Sequence, residues 1–446
     1  MIENFVSKQI DCACGKKHRS SVEKVVISDT AISVGLKEFL REEGFGRITM
    51  ICDDKSYAVA GKQVESVLTE LNITYKLHKF NSQGLFPNER AVGNILMGAL
   101  DNSDLFLAVG SGTVNDLTRY TSAVVKIPFA TVGTAPSMDG YISGGSALIY
   151  NGLKITFETH APKAVFFVPQ ILANAPRDMV ASGVGDLLGK INCLTDWKLS
   201  QIINGEYLCD FIYDLVGKAV DTTLSAKEGI INSEPSAVAQ LLEALLISGV
   251  GMDYAGNSRP ASGCEHHISH FWEMRYIMED RAPVFHGTKV GIGTIIALKA
   301  YEYIANLTPD FNKIKSSTRK SFSEWESEVK NAFLVASGEV IDLEKAKGKN
   351  DRAKVNERLA VIEQKWNEIK AFAGAVPKSE VVSDFLEKLD APTKPQQIGV
   401  ERELTYQAIV YAKELRDRYT ALQLLFDLNE LENFASLIVN EYYGKN

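Results

Sequence analysis

The sequence predicts an α/β amino-terminal domain followed by an all-α carboxy-terminal domain, and three observations carry that expectation. Short apolar runs rich in β-branched residues recur at 25–28, 48–52, 105–109 and 129–132, with helical stretches such as 60–71 and 90–100 between them. That alternation is the pattern of a parallel sheet covered by helices on both faces. Asn151-Gly152 sits between apolar runs at 147–150 and 154–157, which signals a hairpin, and a last strand at 164–168 ends at Pro169. Beyond Asn174-Ala175-Pro176 the pattern changes to helical periodicity, at 178–199, 237–254, 266–278, 290–305 and 404–425. The domain boundary is therefore expected at about residue 173, giving domains 1–173 and 174–446. Residues 307–375 are highly charged and read as an accessory helical hairpin with mostly solvated faces.

Bulk properties narrow the classes of function. The chain has 446 residues, 45% hydrophobic and 23% charged, with a formal net charge of −8. Those are globular proportions, and the acidic balance argues against a nucleic-acid partner, since phosphate attraction needs a basic surface. No run of 18 or more uncharged apolar residues occurs, so no membrane span is expected, and the amino terminus lacks the apolar core of a secretory signal. Six dispersed cysteines fit a reducing, cytoplasmic setting better than a disulfide scaffold. Cys12-x-Cys14-Gly-x-x-His18 has the look of a metal knuckle but offers an incomplete ligand set.

Histidine is concentrated where chemistry needs it. Four of the seven lie between 266 and 286. His266 and His270 are four apart and share a helix face. His286 precedes a glycine and a helix start, and Asp186 lies in GVGDLLGK, a helical stretch after two glycines. Two imidazoles and a carboxylate, with one position open to substrate, suit a catalytic divalent ion. Spacing alone leaves the carboxylate open among Asp186, Asp196 and Asp253. Lys190 lies one turn from Asp186, Arg259 seven residues before His266 and Lys289 three after His286, and each is a candidate ligand for an anionic substrate group or else a surface charge.

A second group of residues suits a dinucleotide. The strand at 105–109 runs into Gly110-Ser111-Gly112, and a helix starts near Val114. Glycines permit close backbone approach, and a helix start offers free N–H groups to a pyrophosphate. The run lacks the third glycine of G-x-G-x-x-G, having Asn115 and Asp116 there. Asp53 ends the strand at 48–52 and suits either a ribose hydroxyl or a helix cap. The loop TVGTAPSMDGYISGG follows a strand and is dense in small polar residues, as site loops of open α/β folds are.

These motifs, in order, resemble the iron-containing alcohol dehydrogenase and dehydroquinate synthase superfamily. GSGTVND at 110–116, TAPSMDGYIS at 134–143, GVGDLLGK at 183–190, SRPASGCEHHISH at 258–270 and FHG at 285–287 carry the resemblance. It implies a Rossmann-like nicotinamide-binding domain, a helical metal- and substrate-binding domain, and a site in the cleft between them. It implies Asp186, His266 and His286 as ligands of one zinc, nickel or iron ion, with His266 preferred over His267. It implies His270 and Asp186 as catalytic residues, and Asp139, Asp186 and His270 at the substrate. It implies Asp53, Gly112, Thr113, Val114, Asn115, Asp116, Thr134, Ala135, Pro136, Ser137 and Ser143 at NAD(H) or NADP(H). The implied activity is reversible reduction of dihydroxyacetone phosphate to glycerol 1-phosphate, a small phosphorylated triose–polyol pair, in a homodimer or larger assembly. Oxidation of free glycerol, or a lyase reaction of the dehydroquinate synthase kind, is the alternative within the superfamily.

Overall fold

The computed structural model describes residues 2–99, 101–151 and 153–445. Leu100 and Gly152, the second residue of the expected hairpin turn, lie outside the described residues.

Among the described residues there are ten strands, seven of them at the expected places and three, Gln9–Asp11, Lys17–Arg19 and Thr74–Phe80, not expected. A short hairpin, β1 (Gln9–Asp11) and β2 (Lys17–Arg19), comes first. Then come β3 (Lys24–Ile27), β4 (Arg47–Asp53), β5 (Thr74–Phe80), β6 (Leu105–Gly110) and β7 (Phe129–Gly133). The hairpin β8 (Gly145–Tyr150) and β9 (Leu153–Glu158) precedes β10 (Ala164–Phe167). Six strands form one parallel sheet in the order β3-β10-β7-β6-β4-β5. The sequence reading missed β5, whose residues TYKLHKF alternate between exposed and half-buried. An edge strand has one neighbour and a wet face, so it needs no apolar run.

Alternation along the central strands explains two cores. In β6, Leu105, Leu107 and Val109 pack on one face with Ile48, Met50 and Phe166. Phe106 and Ala108 pack on the other with Ile51, Val114, Leu117 and Phe129. Both faces are buried, as the near-continuous apolar strands require.

Six helices position the site: α1 (Gly112–Val125), α2 (Arg177–Asn204), α3 (Asp210–Ser225), α4 (Pro235–Ala255), α5 (Cys264–Met278) and α6 (His286–Asn306). The chain divides into two compact units, Met1–Leu187 with Asp210–Ser258, and Leu188–Cys209 with Arg259–Asn446. Helix α4 is long and apolar enough to cross a membrane by length and composition, but 67% of its most apolar window is buried inside the protein. It is the only such helix among the described residues.

Two expectations in the second unit are corrected. The 307–375 segment is no solvated hairpin. It forms a run of helices, including Phe322–Phe333, Ser337–Lys347, Arg352–Gln364 and Trp366–Ala375. Trp325, Val329, Phe333, Val355, Leu359, Ile362 and Ile369 join the core formed by α5 and α6. Its high charge hides a sparse apolar stripe, which is all that one buried helix face needs. The single helix expected at 404–425 is instead Arg402–Tyr411, a 3₁₀ turn at Ala412–Leu415, and Ala421–Asp427. The break falls where Lys413 and Glu414 turn inward. Glu414 meets Lys413 and accepts from Trp325 Nε1 and Asn350 Nδ2. Burial raises its pKa, but the Lys413 and Lys349 charges outweigh that and hold the carboxyl down at about 2.

Truncating Leu359 tests whether the inserted helices belong to the core. Leu359→Ala is expected to destabilise the protein by about 2–5 kcal/mol in denaturant titrations. A loss below about 0.5 kcal/mol, typical of surface positions, would return the segment to the periphery.

Candidate active site

The carboxyl ends of the parallel strands gather the cofactor candidates. Gly110 and Gly133 are paired at the ends of β6 and β7, and Cys52 pairs with Val109 one residue before Asp53. Helix α1 starts at Gly112, and its capping residue Ser111 makes no side-chain cap bond. The first N–H groups of the helix are thus not taken by the Ser111 side chain, and a helix start favours an anion. Val114 and Asn115 turn their side chains inward, so they offer backbone only. Asn115 accepts from Thr131 Oγ1 at 2.8 Å. Asp53 accepts from Ser56 N at 2.7 Å and completes a capping box.

The 134–145 loop is folded tightly against its surroundings by a residue not singled out in the sequence. Arg119, fully buried on α1, pairs with Asp116 at 2.8 Å. It also donates to the carbonyls of Gly140, Tyr141 and Gly145. An Asp-Arg pair three apart on a helix was the available signal. Asp116 therefore secures Arg119, which secures the loop. Tyr141 OH donates to the Ala135 carbonyl at 2.8 Å, and Ser143 Oγ bonds the Gly140 carbonyl at 3.2 Å. Ala135, Pro136 and Ser137 are buried, whereas Thr134 and Ser143 keep partial exposure.

Contact between this loop and α2 is very close. Ser182 Oγ donates to the Ser137 carbonyl at 3.0 Å. A Cβ added at Gly183 would lie 1.7 Å from the Pro136 carbonyl oxygen. Only a residue without a side chain lets backbone meet helix there. One turn on, Asp186 is buried and its Oδ2 accepts the Asp139 N–H at 2.9 Å. The Asp139 carboxylate in turn accepts from Ser248 Oγ at 2.9 Å.

One ligand atom each from Asp186, His266 and His286 lies within 4.8 Å of the others. The His266 and His286 ring centroids are 5.2 Å apart, and His270 stands 5.9 and 5.7 Å from them. His266 and His270 share one face of α5, and His286 opens α6. Glu265, fully buried, accepts from His266 Nδ1 at 2.7 Å, which makes Nε2 the ring nitrogen that carries the lone pair. Glu265 also accepts from the Gly263 N–H and Asn192. Burial pushes its pKa up, but the His266, Gly263 and Asn192 hydrogen bonds prevail and hold it below the usual carboxylate range. Two imidazoles and a carboxylate converge as a divalent-ion site requires, so the residues fit such an ion.

His267 points elsewhere. Its two ring nitrogens are buried with no hydrogen-bond partner among the described residues. Burial first, then the Arg418 and Lys349 charges, keeps it neutral far below the usual histidine range. The other carboxylates considered in sequence have structural partners. Asp196 accepts from Tyr301 OH, Cys264 N and Ala421 N. Its pKa is pushed up to about 6 by burial and by the Glu265 charge. Asp253 accepts from Ser21 N and Oγ.

The cations expected at a phosphate are also engaged. Arg259 bonds Glu206 and the carbonyls of Asp196 and Tyr419. Lys190 is buried and donates to the Ala261 carbonyl at 3.2 Å. Lys289 bonds Glu273 at 3.1 Å and the Val284 carbonyl at 2.7 Å. Glu273 also lies 3.5 Å from His270 Nδ1.

A family model described as iron-containing alcohol dehydrogenase matches residues 26–176. Solved structures share the architecture. Glycerol dehydrogenase from Schizosaccharomyces pombe superposes with a TM-score of 0.59 at 13% identity, covering 96% of this chain and 93% of that one. Alcohol dehydrogenase from Oenococcus oeni gives a TM-score of 0.60 at 14% identity, covering 95% and 98%. Sequence similarity is more particular. Glycerol-1-phosphate dehydrogenase [NAD(P)+] of Halalkalibacterium halodurans is 33% identical over 94% of this chain and 96% of its own. The Geobacillus stearothermophilus enzyme of that name is 30% identical over 96% and 98%, and the Pyrococcus furiosus one 31% over 67% and 82%. The chain belongs to the glycerol-1-phosphate dehydrogenase family.

Gly183→Ala tests the close contact between loop and helix. The added methyl must push the 134–143 loop aside. The KM for the nicotinamide cofactor is expected to rise on the order of tenfold or more while the fold persists by circular dichroism. An unchanged KM would show that the loop's position does not matter for the cofactor.

Proposed function

We propose that this protein is a metal-dependent oxidoreductase that reversibly reduces dihydroxyacetone phosphate to sn-glycerol 1-phosphate with NAD(P)H. The convergence of Asp186, His266 and His286 carries the reading, together with full-length similarity to enzymes of that name.

The geometry is consistent with a role for each residue in this reading. Asp186, His266 and His286 would hold the ion, and the bound ion supplies Lewis acidity at the carbonyl oxygen of the ketone. Asp186 Oδ2 accepts the Asp139 N–H, which orients the carboxylate toward its role as a ligand. Glu265 keeps His266 in the tautomer whose Nε2 is a donor atom. Zinc, nickel and iron all accept this N/O set, and the reading commits to a divalent ion rather than to one element. His270 is 36% exposed at its side chain, beside the two ligand histidines, and suits orienting a substrate hydroxyl or passing a proton. Asp139, bonded through its N–H to Asp186, would meet a polyol hydroxyl. The start of α1 and the 134–143 loop would seat the dinucleotide, with the pyrophosphate on the N–H groups from Gly112 onward. Asp53, at the end of β4, would face the adenosine ribose and favours NAD by repelling an extra phosphate. A cytoplasmic homodimer or larger assembly completes the reading.

A substrate panel separates this reading from its relatives. Metal-depleted protein would be given single ions, then dihydroxyacetone phosphate, dihydroxyacetone or glycerol with NADH or NADPH. The phosphorylated ketone is expected to exceed the free one in kcat/KM by on the order of 100-fold or more, because a site built for a phosphate loses that grip without it. Equal use of both ketones would make the protein a glycerol dehydrogenase. No net change in nicotinamide absorbance with any of them would point to a lyase. His266→Ala is expected to lose bound metal and turnover together, and full turnover of that variant in chelator would refute the ligand set.

A further inference from the structure

The amino-terminal knuckle finds its missing ligand in the fold. Cys12, Cys14 and His18 lie close in sequence, and Cys209 is far from them. In the structure, one ligand atom from each of the four lies within 4.8 Å of the others. In a tetrahedral zinc site with Zn–S distances of about 2.3 Å, ligand atoms are about 3.8 Å apart, so the cluster is of the right size.

Each ligand is delivered by identifiable local structure. Cys12 and Cys14 occupy the turn of the β1–β2 hairpin. The Gly15 N–H donates to the Cys12 carbonyl at 3.0 Å, and the Cys12 N–H to the Lys16 carbonyl at 3.1 Å. Gly15 has φ +84°, a left-handed conformation that glycine adopts at no steric cost. His18 stands in β2, only 1% exposed, and is stacked against Phe211 and Tyr254. Its Nδ1 donates to the Tyr254 carbonyl at 2.9 Å, which leaves Nε2 unprotonated and 3.3 Å from Cys14 Sγ. A ligand histidine oriented by a carbonyl on its other nitrogen is the usual second-shell arrangement of zinc sites. Cys209, fully buried, directly precedes the first residue of α3.

We propose that Cys12, Cys14, His18 and Cys209 form a second metal site, a closed Cys₃His site that takes zinc. Three thiolates and one imidazole favour zinc over the harder divalent ions. Four protein ligands leave no open position, so the ion is structural. It ties the amino-terminal hairpin to the start of α3, while His18 links the hairpin to the end of α4. This site shares no residue with the Asp186 group and does not depend on the proposed reaction.

Elemental analysis and cobalt substitution test it on the full-length protein. Zinc-loaded wild type, freed of loose metal, is expected to retain about two ions per chain, and Cys12→Ser and His286→Ala about one each. With cobalt as the sole metal, wild type and His286→Ala should show strong near-ultraviolet thiolate-to-cobalt absorption. Cys12→Ser and Cys209→Ser should lose most of it, because the Asp186 group contains no sulfur. Cys12 lies in a partly exposed turn, so its serine variant should fold and keep its turnover but melt at a lower temperature. Absence of the thiolate band from wild type would overturn the proposal. So would equal metal content in Cys12→Ser, or a disulfide among the three cysteines in protein purified under reducing conditions.

Discussion

A buried carboxylate beside a histidine is the constraint on which the second unit is built. Glu265 is fully enclosed and receives hydrogen bonds from His266, Asn192 and Gly263. Burying such a charge is costly unless each lone pair finds a donor, so its neighbours are tightly specified. The backbone closes around it at distances that exclude side chains. A Cβ at Gly293 would sit 2.5 Å from the Glu265 carbonyl oxygen, and one at Gly263 would sit 2.8 Å from its Oε2. Glycine inside a helix such as α6 costs up to about 1 kcal/mol relative to alanine, and close approach of α5 is what that cost permits. Asp196 lies in the same network, and the Glu265 charge helps keep its pKa high. It nonetheless caps α5 through Cys264 N, so two acidic groups share one buried, donor-rich region.

The first unit uses backbone where the second uses charge. Its candidate cofactor surface is made of strand ends, a helix start and a loop whose carbonyls are held by one buried guanidinium. Arg119 satisfies three carbonyls and one carboxylate at once, which a lysine could not do with the same planar geometry. The loop then presses on α2 at Gly183 and hands one N–H to Asp186. Loop, helix and candidate ligand are thus a single mechanical piece. This explains why GVGD is a motif: one glycine admits the loop and the aspartate one turn later receives it.

Much of this was legible in the sequence because local rules dominate there. The parallel strands announce themselves as apolar runs, since both faces are buried. The helix carrying His266 and His270 is legible from their spacing of four. What failed to read out was decided by burial. β5 lacks an apolar run because it is an edge. The 307–375 helices look solvated in sequence because charge is counted along the chain, whereas packing needs only one stripe. The break at Lys413–Glu414 depends on Lys349, Asn350 and Trp325, all distant in sequence.

The sequence by itself determined the order of elements, the family motifs, and which histidines share a helical face. Only the tertiary structure decided which partners those residues meet. It brought Asp186 within ligand distance of His266 and His286, gave Asp196 and Asp253 structural work, and turned His267 into the core. It also brought Cys209 to a knuckle that lacked one ligand. The physical reason is the same in each case. Helix and strand periodicity are set by neighbours a few residues away, but a metal shell or a buried charge is completed by groups that only chain folding brings within a few ångströms.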